Sequence, residues 1–462
     1  MLDLVIRGGR VVLPDRVADV DVGVADGKFA AVGRRGELVA SREVDAHDLI
    51  VFPGAIDPHV HIATQFGAAM TRDDFETATI PAAFGGTTTI CEFAIPRDGE
   101  TASTAIARRH QEATGRAAID YAFHAVVTGH RFEDSLAELG SLRADGVGSV
   151  KVFSTYLDSV GIPMDKIHSV LSACAREDLL LLVHCETDSL IAAGITGQVA
   201  KGDLSPSAHA RSRPQLAEVD AIRSVCDMAS NLRAPVYIVH ISTEAGMATI
   251  DDRKKAGSRV IAETCPQYLF LDESVYDRQD GELWVCSPPI RPSGDVAGLW
   301  TALSSGTVDI IGSDHNCFDR AQKSAGRLDF RTIPNGLPGI EFRLPLAVDS
   351  VLGGRLNWLQ AAKLSAENAA RALRIWPKKG AIAVGADADF VLIDAALKTD
   401  LGASHMATDY SPFAGLTTRG AVSQTWLRGT CVVRDGEFMA PGGGSYLGVP
   451  TLISLASQQG ND

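Results

Sequence analysis

The chain has 462 residues, 45% of them hydrophobic and 22% charged, the composition of a globular protein larger than one ordinary domain. Its formal net charge of -14 argues against nucleic acid or anionic membrane as a main partner, since both surfaces are negative. No apolar run approaches the ~20 residues that span a bilayer, and the opening MLDLVIRGGRVVLP lacks the basic and apolar regions of a signal peptide. A cytoplasmic location is therefore expected. The eight cysteines are scattered with no CxxC pair, as suits reduced thiols.

Residues 1–51 alternate apolar and polar side chains between turn signals, as in Ala18–Val24 and Lys28–Gly33, which reads as a small antiparallel β unit. The same texture returns over 379–440, in Ala381–Gly385, Phe390–Asp394, Val422–Gly429 and Cys431–Gly436. The two ends are expected to pair into one β-sandwich, with residues 52–378 inserted between them. The Gly-rich tail, 441–462, reads as a linker followed by a segment that packs on a neighbouring subunit.

The middle of the chain changes period. Continuous apolar runs end at His61 and occupy 86–94, 120–128, 149–155, 179–186, 235–242, 259–266 and 308–315. Between them, stretches such as 103–116, 133–145, 164–177, 214–231, 245–257 and 293–305 place apolar residues three and four apart, the helical spacing. Strands apolar on both faces belong to a parallel sheet, and eight β/α units predict a TIM-type (β/α)8 barrel. A doubly wound open sheet is the other arrangement of such units, but no G-x-G-x-x-G follows the early strands.

Barrel chemistry sits where the strands end. His59 and His61 close the first run, on one face of the strand because side chains alternate. Lys151 lies in the fourth run, His184 ends the fifth, His240 the sixth and Asp314 the eighth. Any one of the histidines could be a hydrogen-bonded core residue, and Asp314 a helix cap. Together, four imidazoles and a carboxylate at matching strand ends are the ligand supply of a two-metal site. Lys151 is an ammonium in an apolar strand, where desolvation lowers its pKa. A neutral buried amine reacts with carbon dioxide to give a carbamate, N6-carboxylysine, whose two oxygens can bridge cations about 3.5–4 Å apart.

With those residues in place, the sequence resembles the cyclic amidohydrolases of the dihydropyrimidinase and D-hydantoinase family. The likeness runs from LVIRGGRVV through GAIDPHVHI, AAFGGTTTI, KVFSTY, HISTEAG, AETCPQYLFLD, CSPPIRP, GSDH, PNGLPGIE and KKGAIAVGADAD to YSPFAG. It implies two zinc ions bridged by carbamylated Lys151, with His59, His61 and Asp314 on one metal and His184 and His240 on the other. It further implies that the Tyr156 hydroxyl meets the carbonyl under attack, that backbone groups at Ser287 and Asn335 bind the ring edge, and that Asp314 shuttles the proton. The implied substrate is a cyclic ureide or imide, opened to an N-carbamoyl amino acid or half-amide, and the implied assembly is a homodimer or homotetramer.

The chain departs from the family pattern at Cys185-Glu186-Thr187, at Ile62–Phe66 and at Asn316-Cys317. None of these is a metal ligand, so they bear on which ring is taken, as do Phe66, Leu157 and Val160 on segments resembling gating loops. Ala63 stands where the dihydroorotase pattern carries a carboxylate-binding arginine, and allantoinase is the alternative activity, since YSPFAGLTTRGAV resembles its pattern although ICEFAIP departs from it. A non-catalytic dihydropyrimidinase-related scaffold would lose metal ligands, and all six positions are present here.

Overall fold

Thr87–Ala94, TTTICEFA, is buried along its whole length, as a strand must be when helices cover one side and a barrel interior the other. The computed structural model, which describes residues 1–439 and 443–449, sets it second in a closed parallel barrel. The strands are Ala55–His61, Thr87–Ala94, Asp120–Val126, Ser149–Phe153, Leu180–His184, Val236–Ile238, Val260–Thr264, and an eighth in two pieces, Ile310–Ile311 and His315–Asn316. Ile310 and Ile311 pair with Glu263 and Thr264, while His315 and Asn316 pair with Val60 and His61, which closes the ring. Ile56, Leu180 and Ile310, at the strand starts, share a core cluster with Ala369, Ala370 and Leu373, so the floor of the barrel is plugged.

The expected single strand at 308–315 is broken by Gly312-Ser313-Asp314. Asp314 has φ 51°, a left-handed conformation that leaves the ladder, and a side chain at Gly312 would meet the Glu263 carboxylate and His59 Cβ. Five of the expected helices appear at Ala102–Ala113, Met164–Arg176, Gln215–Leu232, Glu244–Lys255 and Ser293–Ser305. The stretch at 133–145 is instead two short helices, Phe132–Ala137 and Leu139–Ala144. Gly140, in the second of them, weakens a continuous helix by roughly 1 kcal/mol.

Both chain ends enter one ten-stranded sheet, joined where Leu49–Pro53 pairs antiparallel with Phe390–Asp400. Val17–Ala25 turns this sheet on itself: Val17–Asp19 pairs with Arg10–Val12, and the rest pairs with Lys28–Arg34 and Leu2–Arg7. The two faces enclose a core of Leu4, Val22, Phe29, Phe390 and Trp426, among others. Ala381–Gly385 is not a strand, contrary to its alternation. Gly385 has φ 91°, and the Gly385 and Ala386 backbone hydrogen-bonds Phe29 across a turn. Of the tail, Gly443–Val449 lies along this chain's own barrel, with hydrogen bonds from Tyr121 to Ser445 and from Leu447 to Tyr121. The expected neighbour-contacting segment otherwise lies outside the described residues. Among the described residues no helix is long and apolar enough to cross a membrane.

Barrel and sandwich are tied by a buried ion cluster. Lys379 Nζ lies 2.5 Å from Asp120, 2.7 Å from Asp389 and 3.0 Å from Asp387, and Arg428 pairs with Asp120 as well. Removing one member of a buried pair strands the other charges in low dielectric. Lys379→Met is therefore expected to destabilise the fold by about 3 kcal/mol, read as a lower urea midpoint; an unchanged midpoint would contradict this.

Candidate active site

The strand ends bring the candidate ligands into one buried cluster. Asp314 Oδ1 lies 3.0 Å from His59 Nε2 and 3.5 Å from His61 Nε2, and ligand atoms of these three residues all fall within 4.8 Å of one another. The His184 and His240 rings are 4.4 Å apart and His240 is 5.4 Å from His59. Lys151 points into the same space, with Nζ 4.8 Å and 4.9 Å from the ring centres of Phe93 and Phe153. Phe93 also stacks on His61 at 5.0 Å and packs edge-on to His59, giving the cluster an apolar wall on that side.

Electrostatics follow from that burial. Desolvation lowers the Lys151 amine to about 8 and the His61 imidazole to about 4. Burial works against a proton on His59 too, but Glu263 and Asp314 outweigh it and hold the ring at about 9. Burial would raise the Asp314 carboxyl, yet His59 and His61 keep it well below the usual carboxylate range. The same anions that favour a proton on a buried imidazole would favour a metal cation there, and His59, His61 and Asp314 could hold one.

Two carboxylates that the sequence reading did not single out orient these histidines. Glu263, on the seventh strand, lies 2.6 Å from His59 Nδ1 and accepts from the His240 backbone at 2.8 Å and from the Tyr237 hydroxyl at 2.6 Å. Glu186, in the segment noted above only as a family departure, lies 2.9 Å from His184 Nε2 and pairs with buried Arg213. A carboxylate on one ring nitrogen fixes the tautomer and leaves the other nitrogen free for a ligand. Deeper still, Asp57 Oδ1 accepts from the Ser313 backbone at 3.1 Å, and buried Arg343 faces its other oxygen at 3.6 Å. A lone Asp or Glu inside an apolar strand is the signal that would have found Glu263 and Asp57.

The cluster opens into a cavity of about 780 Å³, lined by Lys151, Tyr156, Ser287, Asp314 and Asn335 among others. Tyr156 has φ 64° and its backbone N–H is held by Asp188. Its ring lies 5.7 Å from His184 with the Arg213 guanidinium 5.0 Å above it. Burial raises the pKa of its phenol, which stays a proton donor. Ser287 Oγ is 3.3 Å from His209. Phe66 and Val160 reach the cavity, but Leu157 does not: it is exposed and lines a separate cavity of about 270 Å³ behind Tyr156.

The donor set fits a metal pair. His59 Nε2 and His61 Nε2 face Asp314 Oδ1, while His240 Nδ1 and Lys151 Nζ are buried without hydrogen-bond partners, a costly state for polar atoms unless a cation or an adduct completes it. Asp73, His315 and Cys317 form a second cluster that behaves differently. His315 Nδ1 accepts from the Gly339 backbone at 3.1 Å, so Nε2 carries the proton given to Asp73 at 2.8 Å, and the ring offers no free lone pair. All eight cysteines are free, seven of them buried.

Comparison with known proteins places this architecture. The model of the Amidohydrolase family matches residues 50–432. D-hydantoinase of Geobacillus stearothermophilus is 37% identical over 450 residues, 96% of this chain and 95% of that protein. D-hydantoinase of Ralstonia pickettii is 36% identical over 456 residues, 97% of each chain. The crystal structure of dihydropyrimidinase from Brevibacillus agri superposes with a TM-score of 0.94 at 35% identity, covering 98% of this chain and 99% of that one. The chain thus belongs to the amidohydrolase family, within its hydantoinase and dihydropyrimidinase branch.

Proposed function

We propose that this chain hydrolyses the ring amide of a cyclic ureide or imide of the hydantoin or dihydropyrimidine kind, releasing an N-carbamoyl amino acid or a half-amide. The observation that carries this reading is one buried donor set, His59 and His61 gathered on Asp314 with the unpartnered Lys151 Nζ and His240 Nδ1 beside them. His59, His61 and Asp314 would hold one metal, His184 and His240 the other, and a carbamate on Lys151 both. The nitrogen and oxygen set suits zinc. Bound there, the metal pair supplies Lewis acidity and water acidified to near-neutral pKa.

The chain's own residues do the rest. Asp314 accepts the proton of the attacking water and returns it to the ring nitrogen as the C–N bond breaks, a base-then-acid role. Tyr156 donates its hydroxyl hydrogen to the carbonyl oxygen as negative charge develops there. Backbone groups at Ser287 and Asn335 fix the ring edge, and Phe66 and Val160 limit the substituent. The relatives' names and the residues present support no competing allantoinase, dihydroorotase or scaffold role.

Carbamate formation gives this reading a pH signature. The amine must be neutral to react with carbon dioxide, and its pKa is lowered to about 8, so the ammonium dominates below that value. Reactivation of metal-stripped protein by zinc at a fixed concentration of dissolved carbon dioxide is expected to speed up as pH rises towards about 8 and to level off above it; a pH-independent rate at fixed carbon dioxide would argue against an amine at this step. The activity itself is tested with zinc-loaded protein against hydantoins, dihydrouracil, allantoin and cyclic imides. Ring opening of the hydantoins or dihydrouracil is expected, and inertness towards the whole panel would overturn the reading.

A further inference from the structure

Lys323, on the short helix Arg320–Ala325, is fully buried. Its Nζ donates to the carbonyls of Val285 at 2.6 Å and Pro334 at 2.7 Å. Its other neighbours include the Cys286 thiol, the His209 imidazole and the Phe318 ring, 5.6 Å away, and among the described residues no carboxylate forms an ion pair with it. Burial lowers its pKa to about 7. A buried amine without a counter-ion is unfavourable, and an apolar side chain of similar volume would avoid that cost. What the amine does supply is a donor to two carbonyls.

Those carbonyls have particular positions. The Val285 carbonyl belongs to the peptide that leads into Cys286-Ser287, and the Pro334 carbonyl to the peptide whose N–H is that of Asn335. The Gly336 N–H also donates to Val285 at 3.0 Å, so the two segments are joined directly and through Lys323. Gly336 has φ 131° and no room for a Cβ against Asn316, which leaves this approach to glycine. Ser287, Asn335 and Gly336 all line the large cavity, and Asn335 Oδ1 is buried without a partner. A donor on the Pro334 carbonyl polarises its peptide and makes the Asn335 N–H a stronger donor in turn.

We propose that Lys323 is a positioning residue that clamps segments 285–287 and 334–336 into one rigid ring-binding edge, and so sets how tightly a planar cyclic ureide or imide is held. The inference rests on the assignment of Ser287 and Asn335 as ring contacts. An edge that holds substrate and transition state alike acts on KM and leaves kcat unchanged.

The test uses the zinc-loaded full chain with hydantoin and dihydrouracil as probes. In K323M, KM for both rings is expected to rise about tenfold, the worth of one charge-assisted hydrogen bond, with kcat and zinc content held near wild type. K323Q, which keeps a donor for one carbonyl, is expected to fall between the two, and it carries the test if K323M does not fold. An unchanged KM in a variant of an active wild type, or a fall in kcat alone, overturns the proposal. A wild type that opens neither ring overturns the functional reading as well, and that failure is told apart because it appears without any substitution.

Discussion

Asp314→Asn is expected to lower kcat for ring opening by about 10³-fold while the protein still binds metal. The carboxylate sits in the break of the eighth strand with φ 51°, held by the ladder bonds of Ile310–Ile311 on one side and His315–Asn316 on the other. Asn keeps the size and one oxygen, so the strand break and the contacts to His59 and His61 survive. What it loses is the capacity to take and return a proton. Because His59 and His61 overcome burial and hold the Asp314 carboxyl well below its usual range, the group is ionised across the neutral range and available as a base. Zinc per chain, measured beside kcat, separates the two roles. A variant with full zinc and near-normal kcat would remove Asp314 from the proton path.

The second large effect belongs to Lys151. Lys151→Ala is expected to lose the bridging ligand, bind less than the full complement of metal and lose at least about 10³ in rate, the several kcal/mol that metal activation supplies. The amine is buried, without a hydrogen-bond partner, between the rings of Phe93 and Phe153. An ammonium there has only the ring faces and the charges of Asp314 and Glu263 to offset its burial, whereas a carbamate would add an anionic ligand beside His59, His61, His184 and His240. Short carboxylic acids such as acetate or propionate, which can occupy the space of the carbamate, are expected to restore part of the rate. Native mass analysis of the unsubstituted protein should show one added carbon dioxide. Full metal content and activity in Lys151→Ala would contradict the bridging role.

Much of this arrangement was legible because its residues are conspicuous by type. Histidines, a lysine and an aspartate at the ends of apolar runs stand out against strands that are otherwise buried throughout, such as Thr87–Ala94. The pairing of the two chain ends was legible from alternation alone. Less visible were elements whose periodicity is interrupted: Phe75–Phe84 contains Pro81, and Asp188–Ala200 contains Gly194 and Gly197, so neither announces a helix. The eighth strand reads as continuous because φ at Asp314 is set by the surroundings. Glu186, Arg213 and Lys323 were missed for a different reason. Each is an ordinary charged residue whose role exists only once a distant segment is brought beside it, as Arg213 is to Glu186 or Pro334 to Lys323.

The most direct test of the account is the rate of hydantoin ring opening as zinc is titrated, with bicarbonate present, into metal-stripped protein. On the proposed ligand set two cations share Lys151, so activity is expected to be negligible in the stripped chain and to reach its plateau only with the second equivalent. Full activity without metal, or a chain that binds two equivalents and opens no ring, would contradict it.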